Sequence, residues 1–117
     1  MQAAGLVNEE HRKHMRYRLE APVIFSWRDE RHAQHSGVGL TRVLSTHGAF
    51  VLTATPPPVN ASVDLKVFLP RVGSGVPMHF EGQGKVVRLE SVKHPDARAG
   101  FAVAARAFAL RRSQICL

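Results

Sequence analysis

A lone cysteine, Cys116, near the end of the 117 residues excludes any intramolecular disulfide. The fold must then rest on its own core, and the expected compartment is a reducing one. Carboxylates are scarce, with nine acidic residues against sixteen lysines and arginines and a formal charge of +7. So basic a chain draws anions such as nucleic acids, nucleotides or acidic lipids, without choosing among them. No apolar run reaches the length of a membrane span, which argues against membrane insertion. The first residues, MQAAGLVNEEHRKH, carry no apolar stretch of the signal-peptide kind. A cytoplasmic protein is expected. Only eight aromatics are present, which leaves few for a base-stacking surface.

What is there is ordinary core material. Hydrophobic residues make up 44% of the chain, well above disordered composition. A chain of this size holds one domain and buries roughly two thirds of its unfolded surface. The segment HRKHMRYRLEAPVIFSW, residues 11–27, shows how that material is arranged. Its odd positions Met15, Tyr17, Leu19, Ala21, Val23, Phe25 and Trp27 are apolar or aromatic, while Arg12, His14, Arg16, Arg18 and Glu20 alternate with them. Period two means an extended segment with one face on a core. Pro22 and the β-rich run after it disfavour a helix. Arg12, Arg16 and Arg18 then lie on the face opposite the core. Arg12 and Arg16, four apart, share a face in either regime.

The same reasoning continues along the chain. RDERHAQHSG reads as a polar loop, residues 38–45 as a strand, residues 46–48 as a tight turn with Gly48 at positive φ, and residues 49–53 as a strand. Three consecutive prolines at 56–58 make a loop. SVDLKVFLP alternates and is a strand ended by Pro70. MHFEGQGKVVRLES is a long strand whose adjacent Val86 and Val87 signal a bulge, with Gly82 and Gly84 easing its curvature. AGFAVAARAF is the last strand, and residues 104–114 are compatible with a short closing helix. Six short strands with frequent Gly and Pro punctuation predict an all-β fold, a small antiparallel barrel or sandwich. Residues 1–10 read as a flexible tail, 11–110 as the domain with its basic lead-in, and 111–117 as a C-terminal tail.

Two stretches carry chemistry. RKHMR at residues 12–16 has the form RxxxR just before the first strand, and VLSTHG at 43–48 ends in SxxG. With APVIF, LKVFLP, GQGKVVRL and AGFAVAARAF in the same order around them, residues 10–110 resemble a PilZ domain, the bacterial receptor domain for the second messenger cyclic di-GMP. The resemblance implies a six-stranded antiparallel β-barrel. It also implies that Arg12 and Arg16 grip phosphates and guanine edges, that Ser45 hydrogen-bonds the ligand, and that Gly48 keeps the turn tight. Guanidinium suits the task, being a flat, permanently charged fork that takes phosphate bidentately, reads guanine or stacks on a purine. One position departs from the family's [D/N]xSxxG, where Val43 stands in place of Asp or Asn. By parity Val43 shares a face with Thr41 and Ser45. A carboxylate there accepts from guanine N1 and N2 and an isopropyl group does not, a loss of about 1–3 kcal/mol.

The implied function is a non-enzymatic signalling adaptor that binds cyclic di-GMP and relays it to a partner protein. The alternatives are a degenerate domain of the same fold acting through protein contacts alone, and a basic barrel binding nucleic acid non-specifically. The bland readings are a solvated arginine run, a serine bonding its own turn, and surface charges at Arg88 and Arg106. His11/His14 and His32/His35 are too dispersed for a metal site, since zinc needs three or four converging ligands. Ser45 and His47 lack an evident acidic partner, and no nucleotide-hydrolysis motif is present. Neither a cofactor nor an enzymatic activity is expected.

Overall fold

The computed structural model describes residues 16–70, 75–95 and 97–113. Among them the chain forms eight strands and no helix. In chain order these are β1 (Arg16–Arg18), β2 (Pro22–Arg28), β3 (Gln34–Ser45), β4 (Gly48–Thr53), β5 (Ser62–Phe68), β6 (Met78–His94), β7 (Ala97–Ala105) and β8 (Ala109–Arg112). Every pairing is antiparallel. The order β3–β2–β5–β6–β7–β4 closes on itself because β4 also pairs with β3. The result is the six-stranded antiparallel barrel, with two strands added. β1 continues the line of β2 along β3, and β8 continues the line of β7 along β6.

Alternation builds the interior. Val23 and Phe25 of β2, Val63, Leu65 and Val67 of β5, and Phe101 of β7 are all at most 3% exposed. Branched and aromatic side chains fill a pleated surface well. Phe25 and Phe101 meet edge-on, with centroids 5.0 Å apart at 69°, the arrangement favoured by their ring quadrupoles. At β6, a Cβ on Gly84 would stand 2.4 Å from Val103 Cγ1, and one on Gly82 would stand 2.6 Å from Phe108 Cδ1. These glycines therefore make room for core side chains.

Two bulges set what the outer surface displays. The expected bulge on β6 lies between Val86 and Arg88. A second, on β3 between Thr41 and Val43, was not anticipated, and it overturns the parity argument. Thr41 is fully buried, whereas Val43 lies on the opposite face with Ser45. An extra residue, Arg42, inverts the alternation. Buried Thr41 also bridges the break between β1 and β2. Its hydroxyl accepts from the Ala21 amide at 3.0 Å and donates to the Leu19 carbonyl.

Other corrections concern boundaries. β3 begins at Gln34 rather than 38, because Asp29 organises a compact turn. Its Oδ1 accepts from the amides of Arg31 (2.8 Å) and Ala33 (3.0 Å), and His32 takes a φ of 65°. Gly48 does not adopt positive φ. Glycine is needed there because a Cβ would lie 2.7 Å from the Val103 carbonyl oxygen. The turn is Thr46–His47, and Gly48 already belongs to β4.

The short closing helix is likewise absent: β8 occupies that stretch. Ala, Leu and Arg favour helix intrinsically. However, β6 begins six residues before its first pairing with β7, at Gly84, and this leaves an open edge. β8 pairs along Met78 to Glu81 of that edge, while Phe108 is buried over Gly82. Among the described residues, β8 and Ser113 pack on β6.

Candidate functional site

β1 lies antiparallel on β3 with Arg16 opposite Ser45, Tyr17 opposite Leu44 and Arg18 opposite Val43. Directly opposed residues share a face of the sheet. Leu44 is 1% exposed and points to the core, so Arg16, Arg18, Val43 and Ser45 all lie on the outer face. Tyr17 follows Leu44 in parity but is 51% exposed, because the core ends before β1. Arg12 lies outside the described residues, so only the second arginine of RxxxR is positioned here.

The Ser45 hydroxyl donates to the Gly48 carbonyl and accepts from the His47 amide, both at 3.3 Å. These are the bonds of a serine-stabilised turn, and they are long enough to be exchanged readily. Beyond the turn the surface is small-featured. Gly48 is paired with Ala104, and Phe50 with Ala102. Val43 packs onto a separate outer cluster around Phe50, Leu52 and Ala102.

The bulges place two more arginines on this face. Arg42 rides over Phe50, its guanidinium carbon 4.2 Å from the ring centroid, and Arg88 lies 5.8 Å from the same centroid. Between them sits Glu90. Its Oε2 accepts from Arg88 Nε at 2.8 Å, and its Oε1 is 3.8 Å from Arg42 Nη2. Ring quadrupole and carboxylate together hold the guanidinium planes against Phe50. Arg16, Arg18, Arg42 and Arg88 thus share one outer surface with Glu90, an excess of positive charge around the Phe50 cluster. Nothing in the spacing singles out Arg42 or Phe50, and it makes Arg88 plain surface charge. The available signal was adjacent apolar pairs, Val43–Leu44 as at Val86–Val87, which break alternation and mark a bulge.

The histidines are otherwise engaged. His35 Nε2 lies 2.9 Å from Asp29 Oδ2, and its ring stacks on Trp27. That bond, with the Ala33 amide, lowers the Asp29 pKa below its ordinary value. His11 and His14 fall outside the described residues. Among the described residues, no three His, Cys, Asp or Glu side chains converge to hold a metal ion.

A Ser–His–acid chain does occur, but not at Ser45. His79 Nδ1 is 2.9 Å from Ser113 Oγ, and His79 Nε2 is 2.7 Å from Glu81 Oε1. The His79 bond, with Arg111 beside it, lowers the Glu81 pKa. Ser113 and His79 are only 7% and 6% exposed, so the network fastens the chain after β8 onto β6 and presents no open hydroxyl. Nothing in the sequence signalled it, since Ser113 comes from a stretch read as helix and tail. Glu81 and Arg111 also line a groove of about 1120 Å³ that crosses β2, β3, β5, β6 and β8.

No helix among the described residues is long and apolar enough to cross a membrane. Compared with known proteins, the chain matches no family model, no curated protein and no solved structure.

Proposed function

We propose that this protein is a PilZ-like, non-enzymatic adaptor that binds cyclic di-GMP on the outer face of β1, β3 and β4 and relays binding to a partner protein. One observation carries the reading: the β1–β3 register brings Arg16 directly opposite Ser45, so two motif fragments distant in sequence become neighbours on a basic surface. Arg16 and Arg18 supply guanidinium forks for phosphate and guanine, Ser45 offers a hydroxyl, and Gly48 leaves the surface open. The resemblance adds Arg12, which lies outside the described residues, as the other arginine of the motif.

Titration calorimetry of the whole chain with cyclic di-GMP, against GTP at physiological salt, tests this. The wild type binds the dinucleotide alone. Arg16→Ala weakens binding by about ten- to hundredfold, as expected for a charge-assisted contact, with thermal stability nearly unchanged because the side chain is exposed. Binding that survives loss of both Arg12 and Arg16 overturns the site.

Val43 favours a second reading, in which the domain no longer takes a nucleotide and works through protein contacts. The isopropyl group packs against the Phe50 cluster and offers the ligand no acceptor. Partners captured equally with and without the dinucleotide would support that alternative. The nucleic-acid reading is weaker, because Tyr17 is the one exposed aromatic among the described residues.

A further inference from the structure

We propose that Glu90, held between Arg42 and Arg88 above Phe50, is the guanine-reading carboxylate of this face and takes the part that Val43 cannot. The inference rests on the cyclic di-GMP reading above. It starts from a deficit: guanine presents N1–H and N2–H₂ side by side, and a carboxylate, an acceptor with two oxygens, answers both. Position 43 provides no acceptor.

Glu90 is placed to fill that role. It lies opposite Gly100 on β7, and Gly100 lies opposite Leu52 on β4, so it rises over the outer face beside the Phe50 ring that fills the space over Gly100. Gly100 is itself obligatory, since a Cβ there would stand 2.3 Å from Phe50 Cζ. The Glu90 side chain retains 38% exposure, so its oxygens are reachable while Arg88 and Arg42 fix their direction. A cleft of about 320 Å³ opens beside it, with Leu52 and Val92 as its apolar floor and Arg42 and Lys93 as cations. That composition suits the edge of a purine ring set on an apolar floor, with its phosphate among the cations. Glu20 also borders the cleft, but its carboxylate is turned to His94 at 3.7 Å.

The arrangement separates affinity from selectivity. Glu90 neutralises part of the charge of Arg42 and Arg88, so removing it frees both guanidiniums for phosphate. Overall affinity is therefore a poor readout. The preference for guanine over adenine is the proper one, because adenine lacks both donors at that edge.

The experiment measures cyclic di-GMP and cyclic di-AMP binding to the wild type, Glu90→Gln and Glu90→Asp by calorimetry, with thermal melting as the folding control. The wild type prefers cyclic di-GMP. Glu90→Gln, which puts a donor where an acceptor is needed, loses about ten- to hundredfold of that preference, while Glu90→Asp retains most of it. An unchanged ratio in a folded Glu90→Gln protein overturns the assignment of Glu90 and leaves the Arg16–Ser45 site standing. No binding of cyclic di-GMP by the wild type overturns both.

Discussion

The outer face of β1, β3, β4, β7 and the second half of β6 and the outer face of β5, β8 and the first half of β6 come from strands with the same alternation, yet they treat charge differently. On the second face charges are matched in place. Lys66 stands opposite Glu81, and Arg111 of β8 reaches the same carboxylate. Glu81 accepts from His79 at 2.7 Å and lies 3.2 Å from Arg111 Nε. Among the described residues of the first face only Arg42 and Arg88 meet a carboxylate, Glu90, while Arg16 and Arg18 lie across Val43 and Ser45 from it. Matched charge serves the fold by seating β8 on β6. Exposed pairs contribute little stability, so the surplus on the first face has no structural purpose that its contacts explain. The proposed ligand would draw on that surplus.

The comparison breaks most completely from inside. Both faces hang on one core, and Phe101, fully buried against Phe25, is central to it. Phe101→Ala costs about 3–5 kcal/mol, a large part of the roughly 5–15 kcal/mol available to a domain. Urea unfolding should show that loss, and dinucleotide binding should vanish with it.

A smaller change separates the faces. His79→Ala leaves the Ser113 hydroxyl without its buried partner and opens space beside Phe68, costing about 1–3 kcal/mol. Amides of β8 should then exchange faster while those of β3 and β4 keep their protection, and the dinucleotide should bind as before. Equal acceleration across the barrel would show that the two faces are not separable.

The smallest effect concerns pH. The folded Glu81 pKa is lowered, chiefly by its bond to His79. Its contribution is therefore fully present above the ordinary glutamate value of 4.5 and is lost as the pH falls through the lowered folded value. Glu81→Gln should flatten the acid limb of a melting-temperature profile: the variant melts slightly below the wild type at neutral pH and converges with it once the pH has fallen through that window. An unchanged acid limb would remove Glu81 from the account of that face.

Much of the barrel was legible because burial on one side imposes period two. Val63, Leu65 and Val67 could be assigned inward from spacing alone, as could Val23 and Phe25. The paired valines 86 and 87 announced one bulge. The bulge at Arg42 was legible in principle from Val43–Leu44 but was masked by Thr41, a polar residue that turned out to be buried. Residues 109–112 were misread because their local propensity favours helix and the open edge of β6 that captured them is not a local property. Of the proposed site, Arg16, Ser45 and Gly48 are singled out by the resemblance to the family's motifs, since spacing alone would leave them a charge run and a turn. Phe50, Arg42 and Glu90 are not, because their association runs across strands.

Sequence alone determined the chemistry available to this protein: an alternating core sufficient for one β domain, a surplus of arginine, and a Val43 that offers no acceptor. Those follow from side-chain type and period, which need no tertiary context. Only the tertiary structure decided that Arg16 faces Ser45, that Gly48 is required by the Val103 carbonyl rather than by its own φ, and that Arg42, Phe50, Arg88 and Glu90 form one cluster. Strand register and bulges set those relations, and they emerge from closing the whole barrel, since one inserted residue sends every later side chain to the other face.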